Sequence, residues 1–199
     1  MSIESQVRDF YNENFKRFDS SRFSVWKAVK KFVDDIPESS NVLDAGCGNG
    51  KNMVYMNSKN INSIGIDFSQ QLLQICREKS LNVLESDIRK LPFVDNEFDF
   101  VVSIAVVHHI SSYEDRIKSI NEMLRVCKLG GKVLISVWAL EQDKDSRFNF
   151  NLGDNLVKWE DTTRYYHIFN HETINKLFES FNVENIFCEM GNWFVTIKK

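Results

Sequence analysis

Val42-Leu43-Asp44-Ala45-Gly46-Cys47-Gly48-Asn49-Gly50 is the stretch whose reading decides the fold. A short apolar strand runs straight into glycines at alternate positions, Gly46, Gly48 and Gly50. Glycine adopts left-handed backbone angles freely and lets a ligand approach where a Cβ would obstruct it. Lys51 then opens a helix. The same pattern also serves as a tight strand-to-helix turn that binds nothing. What argues for a ligand is the next apolar run, I-N-S-I-G-I-D, which ends at Asp67. That position lies about twenty residues on, where a nucleotide-binding fold places its ribose-binding carboxylate.

Charge narrows the choice of nucleotide. A pyrophosphate is drawn to a glycine loop and a helix N-terminus but repelled by carboxylates. Here Asp44, Asp67 and Asp87 close three successive predicted strands, so three acids line the carboxyl edge of one parallel sheet. Such an edge suits a cation. S-adenosylmethionine brings a sulfonium, an ammonium, a ribose diol and an adenine amino group, each of which a carboxylate attracts or accepts a hydrogen bond from. The G-x-G-x-G spacing, in place of the dinucleotide G-x-G-x-x-G, points weakly the same way.

At 199 residues and 43% hydrophobic content, the expectation is a single domain spanning 1–199 around one core. A net charge of −3 gives no global attraction to nucleic acid or anionic membrane, so any RNA contact is local or supplied by a partner. The scattered Cys47, Cys76, Cys127 and Cys188 lack metal-binding spacing and read as reduced core residues of an intracellular protein, expected in the cytoplasm with the nucleus as a further location. No metal site is expected. No run approaches the length of a membrane span or a secretory signal.

In chain order, helical periodicity covers 4–18 and the segment before Pro37, forming an N-terminal region 1–36 with Arg22 in the intervening loop. Arg22 reads as a solvated residue that could also reach a cofactor carboxylate. Strands and helices then alternate across a cofactor-binding core, 41–138. Strands at 41–45, 62–67 and 82–86 precede the apolar run Phe98 to Val107, which reads as a buried central strand. Ser111 and Glu114 predict a capping box for a helix carried through Cys127 to Gly130-Gly131, and a strand follows at 132–138. Residues 143–163 are polar and unpatterned, part of a substrate loop region 143–170. A helix at 171–181 and two strands turning at Gly191-Asn192 complete the C-terminal region 171–199. The pattern predicts an α/β fold with a doubly wound, seven-stranded, mostly parallel sheet and a C-terminal antiparallel hairpin.

D-A-G-C-G-N-G, the acids ending the second and third strands, L-P-F before F-D, and G-G before the fifth strand resemble the class I S-adenosylmethionine-dependent methyltransferases. S-I-A-V-V-H-H-I (103–110), V-W-A-L-E-Q (137–142), R-Y-Y-H-I-F (164–169) and N-W-F-V (192–195) together resemble the eukaryotic tRNA methyltransferases that act on wobble 5-carboxymethyluridine. This resemblance implies methyl transfer from S-adenosylmethionine to the carboxylate, giving the methyl ester. It also implies a heterodimer with a small zinc-binding activator subunit. The cofactor-binding set it implies is Arg22, Asp44, Gly46, Cys47, Gly48, Gly50, Asp67, Phe68, Asp87, Ile88, Ile104 and Ala105.

A carboxylic acid with a pKa near 4 is ionised at pH 7 and needs no general base, so alignment and desolvation remain as the catalytic tasks. Candidate positioning residues are His108, His109, Arg164, Tyr166 and His167. Cations suit a carboxylate or phosphate, and rings suit an extruded base. Equally, the histidines can be structural hydrogen-bonders and Arg164 part of a packed strand or solvated loop. Two rivals share the fold: a small-molecule carboxyl or oxygen methyltransferase, and a cofactor-binding module without turnover. The activator is expected to add a strand at the sheet edge 82–86, covering Leu81, Val83 and Phe93.

Overall fold

The computed structural model describes residues 2–142, 146, 148–159 and 161–199. Part of the predicted 143–170 loop region therefore lies outside the described residues. Strands β1 (Asn41–Ala45), β2 (Asn62–Asp67), β3 (Val83–Glu85), β4 (Phe98–Ile104) and β5 (Cys127–Trp138) are mutually parallel. Two further strands, β8 (Val183–Glu189) and β9 (Asn192–Lys198), add an antiparallel hairpin beyond β5. The seven strands run in the order β3-β2-β1-β4-β5-β9-β8, and the mostly parallel sheet with its C-terminal hairpin is the fold class the alternating pattern predicts. Order reverses at β1, whose two neighbours lead away in opposite directions and open a crevice at the strands' carboxyl ends.

Helices α1 (Ile3–Ser21), α2 (Lys27–Asp34), α3 (Lys51–Asn57), α4 (Gln70–Glu78), α5 (Tyr113–Val126) and α6 (His171–Phe178) cover the sheet. One large apolar cluster joins Ile120 and Met123 of α5 and Ile174 and Leu177 of α6 to Val101, Ile135 and Val195 of the sheet. A second lies on the opposite face, where Val29 and Val33 of α2 meet Val42, Leu134 and Phe194. The third matters most for function: Val7, Phe10 and Tyr11 of α1 pack with Leu72 and Ile75 of α4 and with Tyr165, holding α1 over the crevice.

Several expectations need correcting. The polar stretch read as a loop contains a second, two-stranded sheet, β6 (Gly153–Trp159) against β7 (Thr162–Ile168). β6 alternates between half-buried and exposed residues with no continuous apolar face, which hides it from periodicity. Helix α5 stops at Val126, and β5 begins at once; Phe98 pairs with Cys127 and Phe100 with Lys132, so Gly130-Gly131 form a bulge inside the strand. A Cβ on Gly131 would lie 2.4 Å from the Asp99 carbonyl oxygen, so glycine is required there. Ser112, rather than Ser111, caps α5 by accepting from the Asp115 amide, while Ser111 donates to Glu4. The C-terminal hairpin turns at Met190-Gly191, both with positive φ, one residue before the predicted position. Cys188 is exposed on β8, whereas Cys47, Cys76 and Cys127 are buried.

Candidate active site

A cleft of about 280 Å³ lies at the carboxyl ends of β1, β2 and β4, roofed by α1 and by β7. The glycine turn forms its floor. Gly46 and Cys47 both donate to the Ile66 carbonyl at 2.8 Å, which ties the turn to the end of β2. Gly46 has φ of 89°, and a Cβ there would meet Val106 at 2.3 Å. Gly48 donates to Asp67 Oδ2 at 2.9 Å, and Ser69 donates to Asp67 Oδ1 at 2.9 Å. Each Asp67 oxygen keeps further accepting capacity toward the cleft. Burial pushes the Asp67 carboxyl up to about 6, with the backbone donors opposing the rise.

Asp44 lies beneath this floor and does not line the cleft. It is fully buried, and neither carboxylate oxygen has a hydrogen-bond partner among the described residues. Burial raises its pKa to about 7, with nearby Asn52 and Lys51 pulling the other way and Asp67 reinforcing the rise. Gly50 is also outside the cleft. It starts α3 in a left-handed conformation and leaves space for Leu81 and Cys76, so it serves packing. His167 is the third predicted residue that the fold directs elsewhere. Period-2 alternation along β7 sends Arg164 and Tyr166 into the cleft and turns His167 away, where Nδ1 lies 2.6 Å from Asp154.

The other predicted residues, Arg22, Cys47, Phe68, Asp87, Ile88, Ile104, Ala105, His108 and His109, converge on the cleft. Asp87 is already engaged. Burial pushes its carboxyl up, but hydrogen bonds from the Arg89 guanidinium and backbone outweigh that and hold it low. Arg89 also reaches Asp115 at 2.7 Å, so it is a structural brace at the cleft rim. Ala105 has φ of 61° where β4 ends, held by donation to the Ser136 carbonyl and hydroxyl.

At the far end, α1, β7 and the turn after β4 build a chain of polar contacts. The Arg164 guanidinium donates to the Tyr11 hydroxyl at 2.7 Å, and Tyr11 lies 3.0 Å from His109 Nε2. His109 Nδ1 lies 2.8 Å from the Tyr165 carbonyl, which can only accept, so this nitrogen carries the proton and Nε2 accepts from Tyr11. Burial, reinforced by the Arg164 charge, lowers the His109 pKa to about 3, so the ring is neutral. His108 is held well below its usual value by burial, then by His109 and Arg164. Its Nδ1 accepts from the Trp138 amide at 3.0 Å, which leaves an Nε2–H donor, buried and unpartnered among the described residues.

Arg164 is only 6% exposed and forms no salt bridge with the described residues. Its guanidinium carbon lies 4.8–4.9 Å from the ring centres of Phe10, Tyr11, Trp159 and Tyr166. Cation–π attraction offsets part of the desolvation cost, yet Nε remains without an acceptor. A buried, anchored cation with spare donors is a receptor for an anion.

Residues not picked out from sequence complete the cleft: Tyr11, Trp26, Lys51 and Trp138. Tyr11 belongs to an apolar helical stripe that reads as core, and Trp138 ends a buried strand. Burial lowers the Lys51 pKa to about 8, helped by Arg22 and opposed by Asp44, and its Nζ sits 5.2 Å from the Trp26 ring centre. Among the described residues no group of three or more His, Cys, Asp or Glu is placed to hold a metal ion, and no helix is long and apolar enough to cross a membrane.

This floor fits S-adenosylmethionine pole by pole. Asp67 lines the cleft where it could accept from a ribose diol, the unpartnered Asp44 carboxyl lies under the turn, and Arg22 and Lys51 are lining cations that could meet an amino-acid carboxylate. Phe68 and Ile88 are apolar lining residues that could flank an adenine. Fold and site thus define a class I, Rossmann-like methyltransferase. Comparison with known proteins agrees: the family described as Methyltransferase domain matches residues 43–135. A protein of Encephalitozoon cuniculi named as a methyltransferase is 36% identical over 183 residues, covering 87% of this chain and 85% of that protein. The chain therefore belongs to the S-adenosylmethionine-dependent methyltransferases.

The tRNA (carboxymethyluridine(34)-5-O)-methyltransferase of Arabidopsis thaliana is 39% identical over 160 residues, covering 80% of this chain. This alignment spans 37% of the Arabidopsis protein, so the chain matches well under half of that relative's length. Among solved structures, the complex of the Haloferax volcanii Trm112 methyltransferase activator with a methyltransferase has a TM-score of 0.71 at 17% identity, covering 96% of each chain. A Burkholderia thailandensis 1,6-didemethyltoxoflavin-N1-methyltransferase holding S-adenosylhomocysteine has a TM-score of 0.74 at 14% identity, covering 100% of this chain and 91% of its own. At these identities the structures speak for the fold alone.

Proposed function

We propose that the chain acts as one methyltransferase unit on tRNA, methylating the carboxylate of 5-carboxymethyluridine at the anticodon wobble position to its methyl ester. The observation that carries this reading is Arg164: a buried guanidinium with an unpartnered Nε, in a cage of rings, facing the cleft without a carboxylate partner among the described residues. The named activity of the Arabidopsis relative supports the substrate. When bound, S-adenosylmethionine supplies a methyl carbon that a carboxylate oxygen can take, the electron pair of the broken carbon–sulfur bond staying on sulfur.

The chain's own residues then have defined tasks. Arg164 fixes the carboxylate, and the neutral His108 offers its Nε2–H to the same group or to a uracil carbonyl. Tyr11 holds Arg164 in place, braced by His109. Tyr166, stacked on Trp138 at 4.1 Å and 13°, offers a wall for an extruded base. No residue has to remove a proton, because the substrate is already ionised.

We further assign a small zinc-binding activator to the edge strand β3, and place the enzyme's work in the cytoplasm or nucleus with its tRNA. Leu81 and Val83 are buried within the chain and Phe93 packs on Phe98, so the exposed Leu84 is the apolar residue left for such a partner. A small-molecule carboxylate remains the rival substrate. Tritiated-methyl transfer to bulk tRNA and to an equal amount of free carboxylates separates the two. Salt-sensitive labelling of tRNA, lost in Arg164→Met with cofactor affinity kept, is expected. Labelling of small carboxylates alone would overturn the tRNA assignment.

A further inference from the structure

A second pocket of about 180 Å³ adjoins the cleft and shares two of its walls, Trp26 and Trp138. Its aromatic side is a stack. Phe148 and Phe150 lie parallel, 5.3 Å apart at 16°, and each sits 5.3 Å from Trp138, which itself stacks on Tyr166 of the main cleft. The rings thus run without interruption from the proposed substrate end of one pocket into the other.

The polar side is the β8–β9 turn. Asn192 is 8% exposed, and its Nδ2 donates to the Met190 carbonyl at 2.8 Å, which fixes the amide's orientation. Its Oδ1 is therefore an acceptor, buried and unpartnered among the described residues. Gln142 is committed, donating to the Ala139 and Gly191 carbonyls and accepting from Ser146. Glu189 adds a carboxylate to the lining. A slot with planar rings on one side and, among the described residues, an unpartnered buried acceptor and a carboxylate on the other suits a flat heterocycle that presents hydrogen-bond donors.

We infer that this pocket receives the base of the nucleotide next to the methylated uridine, and that it prefers one with an exocyclic amino group. The inference rests on the tRNA reading, in which the strand continues past the target base and the adjoining base lies within one nucleotide step of the shared Trp138 wall. Stacking supplies affinity with little dependence on sequence, while Asn192 and Glu189 favour amino-bearing bases over uracil. Glu189 also disfavours a phosphate here, so the base and not the backbone enters.

The test uses the full chain, its activator if needed, and anticodon stem-loop RNAs carrying 5-carboxymethyluridine, with 2-aminopurine placed on the 5′ or the 3′ side in turn. Binding is expected to quench 2-aminopurine at one of the two positions, and Phe150→Ala to abolish that quench. In methyl transfer, an abasic site at that position should raise KM on the order of tenfold for the unaltered chain. Phe150→Ala should raise KM similarly, and the two changes together should cost no more than either alone. Absence of quenching at both positions, or fully additive losses, overturns the pocket. Should the RNA bind with the Phe150-dependent quench but receive no methyl, the pocket stands and the substrate assignment falls. Asn192→Leu, read by how well unlabelled stem-loops with adenine or with unsubstituted purine at that position displace the 2-aminopurine RNA and relieve its quench, checks the acceptor: lost discrimination supports it, retained discrimination refutes it.

Discussion

Replacing Tyr11 by Phe removes one oxygen and keeps the ring, which makes it a clean probe of the polar chain over the cleft. The ring's packing survives, because its edge contacts with Phe10 at 5.6 Å and Phe18 at 5.3 Å do not involve the hydroxyl. Two hydrogen bonds do not. Burial raises the Tyr11 pKa, so the hydroxyl is protonated and able to donate to His109 while accepting from Arg164. Its loss strands a buried acceptor on His109 and a buried charged donor on Arg164, each costing about 1–3 kcal/mol. Arg164 can recover part of this by moving into the cleft, so a net destabilisation of about 2–3 kcal/mol is expected. For a chain of this size that lowers Tm by roughly 5–10 °C. Because Arg164 loses its anchor, KM for tRNA should rise well beyond any change in cofactor affinity. Thermal unfolding with and without cofactor, together with steady-state kinetics, reads all three quantities. A Tyr11→Phe chain as stable as the parent, with unchanged KM, would refute the argument that Tyr11 positions Arg164.

Other outcomes follow from the cofactor floor and the sheet edge. Asp67→Ala should weaken S-adenosylmethionine binding by about 1–3 kcal/mol, the range for hydrogen bonds to a charged group, and calorimetry on a folded variant with undiminished affinity would end the ribose assignment. Asp44 and Asp67 titrate at about 7 and 6 in the fold against 3.8 as their ordinary value, so the stability from their protonated forms is present below pH 3.8 and lost as pH rises through 6 to 7. A cationic ligand needs the ionised forms, so cofactor affinity should fall on the order of tenfold from pH 8 to 5.5, and a flat titration would contradict the charge assignment. His109, depressed to about 3, acts in the opposite sense, giving stability above pH 6.5 that acidification removes, so ligand binding is the cleaner readout. Gly46→Ala forces a Cβ against Val106 at a φ of 89° and should cost at least about 1–2 kcal/mol with loss of cofactor binding, measurable by scanning calorimetry. Leu84→Lys, at the exposed β3 edge, should block the activator's pairing while cofactor binding persists; co-purification in full yield would exclude that edge.

At the glycine-turn end the cleft lining was largely legible in the sequence because it is local, although Asp44 and Gly50 lie outside it. The glycine turn, Asp67 and Phe68 are positioned by elements contiguous with them, and strand-helix alternation is enough to bring β1 and β2 together. The substrate half was only partly legible, because it depends on elements far apart in sequence. Tyr11 and Arg164 are separated by 153 positions, and nothing in either segment alone announces the bond between them. R-Y-Y-H contains residues that reach the cleft, but telling Arg164 and Tyr166 from His167 required knowing that β7 is a strand and which face it buries. Ser111 and Ser112 each precede an acid by three residues, so the capping pattern fitted two registers, and the interaction of Ser111 with the distant Glu4 decided between them. Gly130-Gly131 were read as a helix stop because a glycine pair inside a strand makes sense only once the Asp99 carbonyl is known to lie against it.

A carboxylate acceptor gives an ester product, and the chemistry of that bond offers a direct test. After transfer of a tritiated methyl group to tRNA containing 5-carboxymethyluridine, the washed RNA is treated with mild alkali and volatile tritium is collected. A methyl ester is saponified, so the label should leave as methanol from RNA treated with the unaltered chain, and no label should be incorporated with Arg164→Met. Label that stays non-volatile after alkali would mean methylation on nitrogen, carbon or a ribose oxygen, and would contradict the role given to Arg164.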